Sequence, residues 1–167
     1  MVWVRSEYAG ELAVVSAWLA ALVPWNITYS TLSGLGSVLF VRFPFAQVRF
    51  AFGIPLAEGV AVSTPLGARA YQQGHPIAAA YTAWAVGAAV VGAAVLVSVL
   101  LYRYEARFER SRFDAVRVIG GLLALAGVVL TAATWLLWTR GFPGLPIPVG
   151  VVLLYLLGGV LLGARRE

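Results

Sequence analysis

Residues 77–102 read IAAAYTAWAVGAAVVGAAVLVSVLLY, a run of 26 residues without one charged side chain. A helix that crosses the hydrocarbon core of a bilayer needs about 20 predominantly apolar residues. At a rise of 1.5 Å per residue, this run forms a helix about 39 Å long, which can span the core with some tilt. The run therefore predicts a transmembrane helix.

Three further apolar stretches accompany this run along the chain. Residues 118–139 and 147–163 contain 22 and 17 uncharged residues. Residues 8–25 are weaker, because the uncharged part has the length of a signal-peptide core. No small-residue cleavage pattern follows it, and Pro24 ends the stretch as a helix breaker, so a retained span is favoured. The sequence thus predicts an all-α membrane protein, a four-transmembrane-helix bundle in a single domain over residues 1–167.

The composition agrees with lipid as the surrounding solvent. Hydrophobic residues make up 61% of the chain and charged residues 11%, against roughly 45–50% and a quarter in soluble domains. No cysteine is present, which excludes disulfides and thiolate metal sites. All twelve basic residues are arginines, and most of them flank the apolar stretches. Membrane orientation explains that placement, so a nucleic acid is not expected as a partner.

The arginines also predict how the chain is oriented. Cytoplasmic segments next to spans carry an excess of basic residues. Eight arginines lie in the N-terminus, the segment between the second and third spans, and the C-terminus, against four on the other side. The eight are Arg5, Arg103, Arg107, Arg110, Arg112, Arg117, Arg165 and Arg166. We therefore expect a multi-pass protein of the cell membrane with both termini in the cytoplasm.

Residues 37–52, SVLFVRFPFAQVRFAF, differ from the spans. A helix here would place two arginines and a proline in the hydrocarbon, and each central arginine costs about 2.5–3.5 kcal/mol. Enrichment in valine and phenylalanine favours strands instead. We predict a small extracytoplasmic β-hairpin within residues 37–63, with 60–63 as a third strand. A short helix over 65–73 is expected to follow, with Thr64 as its N-cap and Gly74 at its C-cap.

Small residues recur four apart inside the spans, a spacing that permits close helix approach. The pairs are Ala88/Gly92, Gly120/Ala124 and Gly159/Gly163. We interpret them as packing within the molecule, and a dimer interface is the alternative.

Candidate chemistry is sparse and concentrates in the outer loop. Its charged residues, Arg42, Arg49, Glu58 and Arg69, form a possible outer contact site for an anionic ligand or a lipid headgroup. The alternative is that the arginines mark solvent-facing strand positions and pair with Glu58. The lone histidine, His75, lacks companions for a metal site, so neither a metal nor a cofactor is expected. Residues 26–28, Asn-Ile-Thr, match the N-glycosylation sequence.

No hydrolase, metalloprotease, phosphate-loop or dinucleotide motif occurs in the chain, so an enzyme is not expected. The leading hypothesis is a non-catalytic membrane protein whose outer β-element contacts a partner protein or the envelope. The alternative is a small transporter or transport accessory subunit. A transporter would need its polar span residues on one internal face, and the candidates are Ser16, Thr82, Ser98, Thr131 and Thr134.

Two segments carry a resemblance. MVWVRSEYAGELAVVSAWLAALVPWNITYS at 1–30 and SVLFVRFPFAQVRFAFG at 37–53 resemble a family of uncharacterised small multi-pass membrane proteins from halophilic archaea, a domain of unknown function. The resemblance implies a location in the cell membrane. It implies no activity, cofactor or catalytic residue.

Overall fold

The computed structural model describes residues 8–54, 58–104 and 114–164. Their helices and strands are, in chain order, α1 (Ala9–Leu22), β1 (Asn26–Leu32), β2 (Gly36–Arg42), β3 (Gln47–Phe52), β4 (Val60–Ser63), α2 (Pro65–Tyr71), α3 (Ala78–Arg103), α4 (Ala115–Thr139), β5 (Leu145–Ile147) and α5 (Val149–Gly163). Six of the arginines used to predict the orientation lie outside the described residues: Arg5, Arg107, Arg110, Arg112, Arg165 and Arg166.

The strands form one antiparallel sheet in the order β4-β3-β2-β1-β5. Consecutive strands from β1 to β4 are hairpin neighbours, whereas β5 returns from the end of α4 to pair with β1. Gly34, in the turn between β1 and β2, and Gly36, the first residue of β2, both have positive φ. A Cβ on Gly36 would meet the carbonyl oxygen of Phe52, so this position requires glycine.

The prediction of an all-α four-span bundle is wrong, because the protein is an α+β structure built on a five-stranded sheet. Within the described residues, two helices are long and apolar enough to cross a membrane, α3 with 26 residues and α4 with 25. The helices found in residues 8–25 and 147–163 have 14 and 15 residues, below the roughly 17–25 that a span needs. Prolines shorten both, since Pro24 follows α1 and Pro148 precedes α5.

Helices α4 and α5 pack through glycines at their contact. A Cβ on Gly158 of α5 would lie 2.9 Å from the backbone nitrogen of Ala124 and the carbonyl oxygen of Gly120, both on α4. This contact accounts for the Gly120/Ala124 pair as packing within the molecule. Gly159 and Gly163 have no atom within 4 Å of their Cβ positions, so that pair makes no such contact.

Tryptophans and the β2–β3 turn join the sheet to the helices. The Trp84 indole of α3 donates to the carbonyl oxygens of Phe43 and Pro44 at 3.0 and 2.9 Å. Farther along α3, a Cβ on Gly92 would lie 3.7 Å from the ring of Phe45. Gly92 is about 21 Å along the helix from Ala78. The β2–β3 turn, which forms the base of the sheet, therefore lies beside the middle of α3.

The two faces of the sheet have the reverse of the usual polarity. The inward face carries the buried polar side chains Asn26, Thr28, Ser30, Arg42 and Gln47. The other face carries two apolar rows across all five strands, Val62-Val48-Val41-Ile27-Ile147 and Val60-Phe50-Leu39-Tyr29-Leu145. None of these ten belongs to the hydrophobic core cluster. Half of the ten have more than half of their surface exposed, Val62 the most at 69%.

Helix α2 begins as predicted. The hydroxyl of Thr64 accepts a hydrogen bond from the backbone N–H of Gly67 at 3.1 Å, and Pro65 occupies the first turn. Its end differs from the prediction, because the C-cap is Gln72. Gly74 lies two residues farther on, in the turn before α3, where its φ of +88° suits glycine.

Replacing Thr64 with alanine is expected to lower the free energy of unfolding by about 1 kcal/mol, because the Gly67 N–H loses its capping acceptor. Thr64→Ser keeps the hydroxyl and should lose much less. Unfolding followed by tryptophan fluorescence in mild detergent measures both variants. An equal loss in the two would show that the threonine methyl group, and not the cap, supplies the stability.

Candidate functional site

Arg42, at the end of β2, is fully buried and accounts for most of the polarity of the inward sheet face. Its Nε donates to Gln47 Oε1 at 2.9 Å, and its Nη1 donates to Asn26 Oδ1 and Thr28 Oγ1, each at 2.9 Å. The register explains the cluster, since Arg42 lies opposite Asn26 on one side and Gln47 on the other. Its Nη2 is buried without a hydrogen-bond partner.

Aromatic rings complete the enclosure of this guanidinium. Its central carbon lies 4.4 Å from the ring centroid of Phe142 and 5.1 Å from that of Phe40. Burial lowers the pKa of Arg42 from its ordinary value, and the neighbouring Tyr81 opposes the shift. A guanidinium nevertheless stays protonated in proteins. A permanent positive charge is therefore held inside the fold by neutral acceptors and ring faces.

No carboxylate neutralises this charge among residues 8–54, 58–104 and 114–164. The one ion pair in those ranges joins Arg117 and Asp114, with Nε and Oδ2 3.4 Å apart, at the start of α4. Removing a charge from water costs several kcal/mol even after relaxation. The three hydrogen bonds and two rings around Arg42 offset that cost locally.

A cleft of about 760 Å³ lies next to the Arg42 cluster. Four of the residues in its wall also surround the guanidinium, namely Phe40, Gln47, Tyr81 and Phe142. The sheet forms one side of the cleft, and the segment from α2 to the start of α3 forms the opposite side. The loop after α4, residues 140–143, closes one end. The volume is within the range of small-molecule sites, about 300–1,000 Å³.

The lining of the cleft is basic and aromatic. Arg49 on β3, Arg140 after α4 and His75 before α3 all line it, together with the ring of Tyr71. The Nε of Arg49 is buried and has no hydrogen-bond partner. Neither aspartate nor glutamate occurs among the described residues that line the cleft. The arrangement suits an anionic group with an apolar or aromatic neighbour.

The structure separates the four residues of the predicted contact site. Arg42 and Arg49 share the inward face of the sheet, Arg42 behind the cleft wall and Arg49 within it. Arg69 lies on the exposed side of α2 and donates from Nε to Thr82 Oγ1 at 2.9 Å. Glu58 is exposed before β4 and does not line the cleft. Among the described residues, none of the three arginines pairs with Glu58.

The glycosylation sequence at 26–28 lies inside the same cluster. The side chains of Asn26 and Thr28 have no exposed surface, and Thr28 Oγ1 donates to Asn26 Oδ1 at 3.0 Å. A transferase cannot reach this amide in the folded protein. The sequence motif here belongs to the Arg42 cluster.

Sequence reasoning missed Arg140 and Phe142 as parts of the site. Arg140 marked the end of an apolar stretch and counted among the four arginines of the outer side. The loop after it has no pattern that indicates contact with a sheet 90 residues earlier. A signal did exist for Gln47 and Arg49, because two-residue spacing places both on one face of a strand. No histidine, cysteine, aspartate or glutamate cluster capable of holding a metal occurs in the described part of the chain.

Comparison of its sequence with known proteins identifies the family of the chain. Curated proteins contain no match to it. The family of unknown function DUF7549 matches residues 2–166, which is nearly the whole chain. The basic cleft, the Arg42 cluster and the apolar sheet face all lie within the matched range. The chain is thus a member of the DUF7549 family.

Proposed function

We propose that this protein is an integral membrane protein anchored by α3 and α4. We propose further that its β-sheet is a non-catalytic contact element on the extracytoplasmic surface of the membrane. The apolar outer face of the sheet contacts lipid. The observation that carries this proposal is the reversed polarity of the sheet, whose charged side chains point inward while its ten-residue apolar face points outward.

The helices support an anchor in lipid. The apolar windows of α3 and α4 are only 39% and 44% buried, whereas the core helix of a soluble protein is mostly buried. Their outward positions are apolar, as at Leu96, Leu125 and Val128. Exposed apolar surface on this scale marks a contact with lipid or protein. The shorter helices α1 and α5 pack beside the two anchors and present similar residues outward, such as Leu22 and Leu156.

The position of the sheet supports the contact with lipid. Its base lies beside the middle of α3, where Phe45 approaches Gly92. Of the two apolar rows, the one from Val62 to Ile147 is nearer the β2–β3 turn and is called the lower row here. A helix that crosses the bilayer therefore brings this lower row to the level of the lipid. Trp135 and Trp138, in the last turns of α4 at the helix end that leads to β5, are each 58% exposed. Tryptophan is enriched at membrane interfaces.

The arginine distribution supports the outer side for the sheet. Arg103 ends α3 and Arg117 lies in the first turn of α4, both at the helix ends away from the sheet. Under the rule that basic residues remain inside, this end of the two anchor helices is cytoplasmic. We therefore propose a cell-membrane location with the sheet exposed on the extracytoplasmic side.

A transporter is not favoured by the polar residues of the helices. Thr131 and Thr134 donate to the carbonyl oxygens of Gly127 and Leu130 on their own helix. Thr82 is exposed near Arg69. Ser16 and Ser98 alone are buried among the five candidates. The five do not share one internal face, so a polar path along them has no support.

Single cysteines provide the test, because the natural chain has none. Val48→Cys, on the lower apolar row, is labelled with an environment-sensitive fluorophore and reconstituted in vesicles. We expect blue-shifted emission that brominated lipids quench, since the label lies among acyl chains or headgroups. The matched control is Ser33→Cys, in the exposed turn at the far end of the sheet, whose label should emit as in water.

Two outcomes would contradict the proposal. A Val48 label that reports water, or one that is shielded only at high protein density and is not quenched by lipid, would assign the sheet face to solvent or to a second copy. Purified chain that stays monomeric in buffer without detergent would remove the membrane anchor itself.

A further inference from the structure

We propose that the cleft between the sheet and α2 is a binding site for a phosphate group, carried by a lipid headgroup or by a soluble phosphate ester. The site itself stands on the geometry of the cleft, and only the lipid source rests on the proposed membrane location. This proposal assigns a phosphate group as the ligand of the β-sheet that is proposed above as a contact element.

The positive charge of the cleft comes from three elements of the fold. Arg49 on β3 is in the wall, Arg140 is at the end of α4, and Arg42 lies behind Phe40 and Phe142. Since no carboxylate lines the cleft within the described ranges, the field of these charges is not cancelled locally. Low-dielectric walls lined by charges of one sign focus the field and concentrate counter-ions.

Hydrogen-bonding capacity is also unused. Arg49 Nε is buried without an acceptor, because its neighbours on the same face, Phe40 and Ala61, offer no side-chain oxygen. A buried donor without a partner is costly, so an incoming oxygen would be favoured. Arginine is the residue best suited to planar, bidentate recognition of phosphate.

The rest of the lining suits a ligand larger than inorganic phosphate. His75 adds a third side chain that can donate to an oxyanion, and Tyr71 presents an exposed ring beside it. The cleft lies at the start of α3 and the end of α4, the helix ends next to the sheet. In the proposed orientation this is the level of phospholipid headgroups. Both a phosphatidylglycerol headgroup and a soluble phosphate ester have the required charge and a size compatible with the volume.

The test has one arm for each source. Detergent-purified protein is titrated with sn-glycerol 3-phosphate by calorimetry, with glycerol as the uncharged match. Retention of phosphatidylglycerol from mixed phosphatidylcholine nanodiscs is measured by native mass spectrometry. Binding of the soluble ester assigns a soluble ligand, and retention of the lipid alone assigns a headgroup. Either result supports the proposed site if Arg49→Gln weakens the observed binding about tenfold, which is the loss expected for one charge-assisted pair.

Two further variants make the outcome decisive. Arg140 is exposed, so Arg140→Gln should fold normally and lose affinity to a similar degree. Arg117→Gln, at the opposite end of α4, should bind like the natural protein. Binding of neither probe, Arg49→Gln and Arg140→Gln variants that bind as tightly as the natural protein, or an equal loss in Arg117→Gln would overturn the proposal. The soluble arm is independent of membrane insertion, so its failure is distinguishable from failure of the anchor.

Discussion

Replacing Arg42 with methionine is expected to lower the free energy of unfolding by roughly 3 kcal/mol, although it removes a buried charge. The side chain of methionine fills a similar space but donates no hydrogen bond. Gln47 Oε1 and Thr28 Oγ1 then lose the donor that they face at 2.9 Å. Each buried acceptor left alone costs about 1–3 kcal/mol. This cost exceeds the free energy gained by no longer burying a charge, because the rings and acceptors around Arg42 already offset most of its desolvation cost.

Denaturant unfolding in mild detergent, followed by tryptophan fluorescence, measures this loss. Arg69→Met is the matched control, because Arg69 is exposed and should change stability by less than about 0.5 kcal/mol. Adding Thr28→Val and Gln47→Leu to Arg42→Met removes the stranded acceptors and should recover much of the loss. Stability unchanged by Arg42→Met alone would mean that the hydrogen bonds of the cluster contribute no net free energy.

Gly158→Leu is expected to destabilise the helix packing by about 3 kcal/mol or more, at the upper end of what overpacking costs. The first added carbon would meet backbone atoms of Gly120 and Ala124 at 2.9 Å. Backbone atoms cannot rotate away as a side chain can, so α4 and α5 must separate along the contact. The separation also exposes buried residues such as Leu161 and Leu123, which have no surface accessible now.

The adjacent residue supplies the control. Gly159 has no atom within 4 Å of its Cβ position, so Gly159→Leu fits without displacement. It should stabilise α5 by up to about 1 kcal/mol, because leucine has the higher helix propensity. Unfolding of the two variants under identical conditions gives the comparison. Destabilisation by Gly159→Leu would instead show that another molecule packs on this face, the dimer alternative for the Gly159/Gly163 pair.

Much of the helical layer could be predicted from the sequence, because apolar length alone identifies α3 and α4. The expected ranges 77–102 and 118–139 correspond to helices at Ala78–Arg103 and Ala115–Thr139. The ends of α1 and α5 could not be placed from hydropathy. A strand begins four residues after α1, and the apolar residue Ile147 belongs to β5 although it continues the apolar run of α5.

The sheet was underestimated for a physical reason. β1 reads NITYSTL, and its polar residues alternate as they do in a strand with one solvated face. Those residues are in fact the buried ones, since Asn26, Thr28 and Ser30 surround Arg42 or extend its face. The usual rule that apolar side chains point to the core would turn Ile27 and Tyr29 inward, which is the opposite of the face that the structure buries. β5 has three residues, too few for any pattern.

The candidate site was predictable in part. The arginines of β2 and β3 were identified as a possible anion site, and the structure places Arg49 in a basic cleft. The contribution of Arg140 and Phe142 depends on the return of β5 to β1, a pairing that joins residues more than one hundred positions apart. Local sequence carries no information on such a pairing.

This long-range pairing has a consequence for biosynthesis. The ribosome releases α1 and the first four strands early, but Phe142 and β5 emerge only after α3 and α4. Until then the nascent chain lacks both the ring that covers the Arg42 guanidinium and the strand that completes the free side of β1. Since non-local contacts form late in folding, the sheet must wait in an unfinished state throughout translation of α3 and α4.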